Sequence, residues 1–246
     1  MIIDMHMHVD DIPALGWHMS AAQCVAAMDE AGIDAAVIMT ITDLPEVNPE
    51  ALELISTACA QFPGRLLPFA RIHPWYQDEA DRLLRLALGE LGFRGLKLHP
   101  VTSIAHPSGP DSVRLIHTAA EYGMPTLFHC GDEPMTTPLS IAPAAQQCPE
   151  ATVILGHMGG YFHVDEAIDV AERWPNIVLE TSAMPYPHKI KEAVERVGAE
   201  RVLFGSDGPV CSPVLERRKV EMAGLTADQL DMVLGGNAQR LLGVNP

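Results

Sequence analysis

The chain is short of positive charge: 16 lysines and arginines stand against 32 acids, a formal charge of −16 over 246 residues. Such a balance repels phosphate backbones, which sets nucleic acid aside as a partner. No C-x-x-C pair occurs among the five cysteines, Cys24, Cys59, Cys130, Cys148 and Cys211. Their odd number and scatter suit reduced thiols in the cytosol better than a disulfide framework. No apolar run approaches the roughly 20 residues that a membrane helix requires. The first residues, MIIDMHMH, carry neither the basic region nor the cleavage site of a leader. The expectation is a soluble cytoplasmic protein with no membrane partner. No Pro/Gly/Ser-rich linker or low-complexity stretch divides the chain, so residues 1–246 read as one domain.

What is present is a repeat. Apolar, β-branched runs occur at 2–8, 35–40, 66–73, 93–99, 125–130, 151–157, 176–181 and 201–207. Longer stretches with apolar residues at helical spacing lie between them, such as AAQCVAAMDEAG and DSVRLIHTAAEYG, often closed by a glycine (Gly32, Gly123). The polar residues that end the runs are His8, Thr40, His73, His99, His129, His157, Thr181 and Asp207. They are spaced by 32, 33, 26, 30, 28, 24 and 26 residues. Each step is close to one βαβ unit, and eight units are what a (β/α)8 TIM barrel needs. An open doubly wound sheet is the alternative, but no glycine-rich dinucleotide turn follows the first run. The polar markers fall at the carboxyl ends of the strands, where barrel enzymes keep their chemistry.

Alternation along IIDMHMH places Asp4, His6 and His8 on one face and Ile3, Met5 and Met7 on the other. Residues two apart on a strand are about 6.6 Å apart, so both imidazoles can converge on one ion. A parallel barrel strand is buried on both sides, and two inward histidines without a ligand would be costly. His129 and His157 end the fifth and sixth strands, and each is followed closely by glycine. Asp207 ends the eighth strand, which a closed barrel sets beside the first.

Taken in order, DMHMH, GLKLHP, LFHCG, LGHMGG, FGSDGP and the terminal GNAQRLLG resemble the amidohydrolase superfamily over essentially the whole chain. The closest likeness is to the amidohydrolase-related branch that includes aminocarboxymuconate-semialdehyde and resorcylate decarboxylases. The resemblance implies one divalent metal held by His6, His8, His129 and Asp207, with His157 contacting the metal-bound water or the substrate. Zinc suits that set, and manganese, iron or cobalt would fit it. In binuclear members of the superfamily a carboxylated lysine at the place of Lys97 bridges two metals. A second metal therefore stays open, although the mononuclear form is preferred here. His99 shares the inward face with Lys97. Arg71 and His73 share a face at the end of the third strand, where a guanidinium could clamp a substrate carboxylate or pair with a barrel acid.

The leading functional expectation is a hydrolase that opens an amide, ester or lactone bond of a small molecule with metal-activated water. Asp207 would carry the proton and His157 would stabilise the oxyanion. The alternative on the same residues is non-oxidative decarboxylation of an unsaturated or aromatic acid. A metal-dependent nuclease family that also opens on a His-x-His strand places glutamate where this chain has Lys97. A non-catalytic metal-binding barrel would have no need of Asp207. Exposed barrel helices often pair, so a homo-oligomer stays open.

Overall fold

A computed structural model describes residues 1–13, 16–41 and 49–244. All eight strand-like runs form barrel strands. They are β1 (Ile3–His8), β4 (Ala35–Met39), the pair β5 (Leu66–Pro68) and β6 (Ala70–Arg71), β7 (Leu96–Leu98), β8 (Thr126–His129), β9 (Val153–Gly156), β10 (Ile177–Glu180) and β11 (Val202–Leu203). The ladders are parallel and run β1-β4-β5 and then β6 through β11 in chain order. The third strand is split at Phe69, whose N–H donates to Ile38 O at 3.0 Å. At the remaining seam Met5 N–H donates to Phe204 O (3.0 Å) and His8 N–H to Gly208 O (2.7 Å). These bonds set the eighth strand beside the first, as the repeat predicts. The result is a TIM barrel.

The helices follow the amphipathic stretches: α1 (Ala21–Ala31), α2 (Pro49–Gln61), α3 (Gln77–Gly89), α4 (Pro110–Glu121), α5 (Pro138–Gln147), α6 (Val164–Arg173), α7 (Pro187–Val197) and α8 (Pro213–Glu221). Local chemistry sets their ends. Ser20 and Gln23 form a reciprocal capping box at the start of α1, and Gly32 closes it in the left-handed region with φ 64°. An antiparallel hairpin, β2 (Asp10–Ile12) with β3 (Trp17–Met19), occupies what reads from sequence as the first loop. The chain ends in α9 (Ala227–Asp231) and α10 (Asn237–Leu242). Asn237 anchors α10 by donating to Ala199 O and Val202 O.

Two apolar clusters organise the barrel. One lies between strands and helices and takes Ala36, Ile38, Leu96, Leu98 and Phe128 from the strands. The other gathers Ile3, Met5, Val37, Leu67, Phe69, Leu127, Ile154 and Leu203 with Ala238 and Leu242 of α10. It fills mainly the amino-end half of the barrel interior, with Met39 reaching the level of His8, every one of its residues buried. No described helix is long and apolar enough to cross a membrane.

Candidate metal centre

Strict alternation fails in β1, and the failure builds the site. The register of β1 against β4 shifts between Asp4 and Met7. Ile3 and Met5 pack in the interior cluster, whereas Met7 joins the helix-side cluster. The two methionines therefore do not share a face as alternation predicts; a bulge of this kind re-aims the residues after it. His6 and His8 turn toward Asp207 across the seam. Asp4 instead ties the seam, accepting from His6 N–H and Ser206 N–H, both at 2.9 Å. Burial pushes its carboxyl up to about 7.

Three ligand atoms converge. His8 Nε2 lies 3.1 Å and His6 Nε2 3.5 Å from Asp207 Oδ1, and the three side chains offer atoms all within 4.8 Å of one another. Each histidine is held from behind through its other nitrogen. His6 Nδ1 donates to Glu180 Oε2 (3.0 Å), and His8 Nδ1 donates to Thr40 O (3.3 Å), a carbonyl that can only accept. Backing of this kind fixes the ring and leaves Nε2 for a metal. Lys97 Nζ lies 2.8 Å from His6 Nε2 and donates to its lone pair, beside the position a metal would take. The donor set thus fits a divalent ion.

Electrostatics agree with ligation. Burial, with Lys97 beside it, holds His6 well below the usual histidine range, so the ring is neutral. Burial works to raise Asp207, but the hydrogen bond from His8 and the neighbouring His157 and His6 hold it well below the carboxylate range. Asp207 (φ 58°) and His157 (φ 67°) both sit in the left-handed region. For residues other than glycine that backbone costs on the order of 1 kcal/mol or more, and it recurs where a site is over-determined by its surroundings.

The other sequence-predicted residues spread from this core. His157 is buried and stacks on His6 at 4.9 Å, with Nδ1 against Ser182 Oγ (2.9 Å) and Nε2 against His129 Nδ1 (3.1 Å). Burial lowers it to about 4. His129 stands one contact beyond the converged three; its Nε2 meets Glu133 Oε2 at 3.2 Å. Burial lowers His129 while that bond opposes the shift, and the same bond pulls Glu133 down to about 2. His99 stacks flat on His129 at 4.0 Å. Burial, then His129, holds His99 far below the usual range. Arg71 is buried and donates to Thr40 O and Thr102 Oγ1, both at 3.1 Å. His73 accepts from Trp75 N–H at 3.4 Å, capping a short turn at Pro74–Tyr76.

Sequence reasoning missed Glu180 and Ser182. It took Thr181 as the seventh marker, whereas Glu180 follows Val178 on the inward face and is fully buried behind His6. The signal was available in the run NIVLETS: a carboxylate at inward parity two places beyond an interior valine. Gly205 makes room for it, since a Cβ there would lie 2.2 Å from Glu180 Oε1 and 3.1 Å from His6 Cβ. A cavity of about 150 Å³ opens over the site, lined by His129, Glu133, His157, Tyr161, Ala183 and Asp207 among others.

Residues 3–244 match a protein-family model described as amidohydrolase. A search of curated proteins gave no match. Solved structures with the same fold include a 5-carboxyvanillate decarboxylase from Sphingomonas paucimobilis, 17% identical over 99% of either chain with a TM-score of 0.76. A dihydroxybenzoic acid decarboxylase from Polaromonas, solved with manganese and the inhibitor 2-nitroresorcinol, is 19% identical. That match spans 100% of this chain and 97% of the other, with a TM-score of 0.76. An uncharacterised TIM-barrel protein from Bordetella bronchiseptica is 21% identical over 99% and 98% of the two chains, with a TM-score of 0.80.

Proposed function

The chain belongs to the amidohydrolase family, and from that premise we propose that it is a metal-dependent carboxy-lyase removing carbon dioxide from a small aromatic or unsaturated acid. The observation that carries this reading is the convergence of His6 Nε2, His8 Nε2 and Asp207 Oδ1 beneath a small cavity, each histidine backed by an acceptor. The preference for carbon–carbon cleavage comes from the relatives: two of the solved structures described above are decarboxylases of aromatic acids. Hydrolysis, placed first on sequence, uses the same side chains but gains no particular support from them. The order of the two chemistries is therefore reversed.

In this reading His6, His8 and Asp207 hold one divalent ion, with His129 as the fourth donor from the fifth strand. Manganese is the first metal to test, because the Polaromonas relative binds it; zinc, iron and cobalt suit the donors too. The ion would supply positive charge that polarises the bound acid's oxygens. Lys97 would stay uncarboxylated; its carboxylation around a second metal is the competing arrangement. The residues of the chain do the rest. Asp207, ionised at rest, takes up a proton and delivers it to the carbon that bears the carboxylate. The bond from that carbon to the carboxylate then breaks, its electron pair restores the ring, and carbon dioxide leaves. One proton is consumed for each molecule released.

The test is a screen of the manganese- and zinc-reconstituted protein against hydroxybenzoates, unsaturated acids, amides and lactones, following carbon dioxide release and hydrolysis in parallel. Release from at least one acid, without hydrolysis, is the expected result. Turnover of amides or lactones alone would overturn it.

A further inference from the structure

Glu180 lies fully buried at the end of the seventh barrel strand, behind the rings of both His6 and His157. A carboxylate can only accept, and this one gathers four donors. They are Ser182 N–H at 2.5 Å, Ser182 Oγ–H at 2.8 Å, His6 Nδ1–H at 3.0 Å and His157 N–H at 3.3 Å. A hydroxyl has one proton, and Ser182 gives it to Glu180. The 2.9 Å contact between Ser182 Oγ and His157 Nδ1 must then be filled by a proton on the imidazole. Ser182 O, a carbonyl 3.3 Å from the same nitrogen, also accepts only and demands that proton independently.

We propose that Glu180 and Ser182 are positioning residues that lock His6 and His157 together in the Nδ1–H tautomer, so that each turns an unprotonated Nε2 toward the mouth. The two Nε2 atoms meet different surroundings. Lys97 Nζ donates to that of His6 at 2.8 Å; that of His157 faces His129 Nδ1 at 3.1 Å, and because Glu133 takes the His129 proton at Nε2, two unprotonated nitrogens meet there. The consequence alters the role expected for His157. A ring with a bare Nε2 accepts a hydrogen bond or a proton, so it does not donate to a developing oxyanion at rest. A substrate that engages it must bring a donor, such as a hydroxyl beside its carboxylate. This use of His157 rests on the carboxy-lyase reading; the tautomers do not.

The test is long-range 1H–15N correlation of the histidine rings in the full-length chain, before and after zinc is added. The wild type should show Nδ1–H on both His6 and His157. Ser182→Ala keeps the Ser182 carbonyl, so His157 should stay mainly Nδ1–H with shifted ring signals as the hydroxyl contact is lost, and His6, whose Nδ1 lies 3.4 Å from the same hydroxyl, should change less; Glu180→Gln should disturb both. Zinc affinity should fall by about 10–100-fold in Glu180→Gln. Nε2–H on His157 in the wild type, or unaltered ring signals in Ser182→Ala, would overturn the proposal. If Glu180→Gln does not fold, the wild type and Ser182→Ala still decide it. No substrate enters the measurement, so an unsuccessful substrate screen and a failed tautomer lock are told apart.

Discussion

The barrel interior has two halves made by the same strands. Toward the amino ends it is filled by Ile3, Met5, Val37, Leu67, Phe69, Leu127, Ile154 and Leu203. Toward the carboxyl ends the same faces carry His6, His8, Arg71, Lys97, Glu180 and Asp207, most of them just as deeply buried. Two residues along β8 or β10 separate packing from proposed chemistry: Leu127 precedes His129 and Val178 precedes Glu180. Burial alone therefore says nothing about role. The lower half is held by apolar contact, each large side chain contributing about 1.5–3 kcal/mol. The upper half is tolerable only because nearly every polar atom finds a partner. A change in one half should strike turnover, and a change in the other should strike stability.

The largest effect on turnover is expected from removing the first-strand donors. The double change His6→Ala, His8→Ala should abolish tight metal binding and with it activity, while circular dichroism shows the barrel intact. Elemental analysis after reconstitution checks this. In the wild type, metal that binds only the folded state should raise Tm, and retention of one ion per chain by the double variant would move the metal elsewhere. Next comes Asp207→Asn, which keeps size and one acceptor oxygen but cannot carry a proton near neutral pH. At verified full occupancy its kcat should fall by about 10²-fold or more. A loss that vanishes with excess metal would make Asp207 a ligand only.

This division into halves was partly legible in the residues. The eight strands, their order and the polar markers at seven of their ends follow from periodicity, because alternation and helix spacing are local properties of the chain. What escaped depended on neighbours. The register shift in β1 is set by how that strand meets β4, and nothing in MIIDMHMH announces it. Glu180 was passed over because the strand was taken to end one residue later, and a one-residue slip exchanges inward for outward. The left-handed backbone at His157 was hinted at by the glycines of GHMGG, yet φ 67° at a histidine is imposed by the packing around it. The pairing of His129 with His157 and its stacking on His99 are distances between strands, which spacing along one strand cannot supply.

The smallest effect on turnover, and the sharpest test of the comparison, belongs to Leu127. It is fully buried in the interior cluster, two residues before His129 on β8. Leu127→Ala removes apolar contact and leaves a cavity that a closed barrel refills poorly, so stability should drop by about 2–5 kcal/mol. For a chain of this size that lowers Tm by roughly 5–15 °C. The polar half should not register the change, since its groups are held by hydrogen bonds anchored on Glu180, Thr40 and Ser182 rather than by the layer below. Metal content should stay at the wild-type level, and kcat at a temperature well below the transition should stay within about twofold. Thermal melts and turnover measured on the same preparation check both halves at once. A loss of metal or a tenfold fall in kcat in the folded variant would show that the two layers are mechanically coupled. The position of His129 would then be set through the apolar layer beneath it and not by its polar neighbours alone.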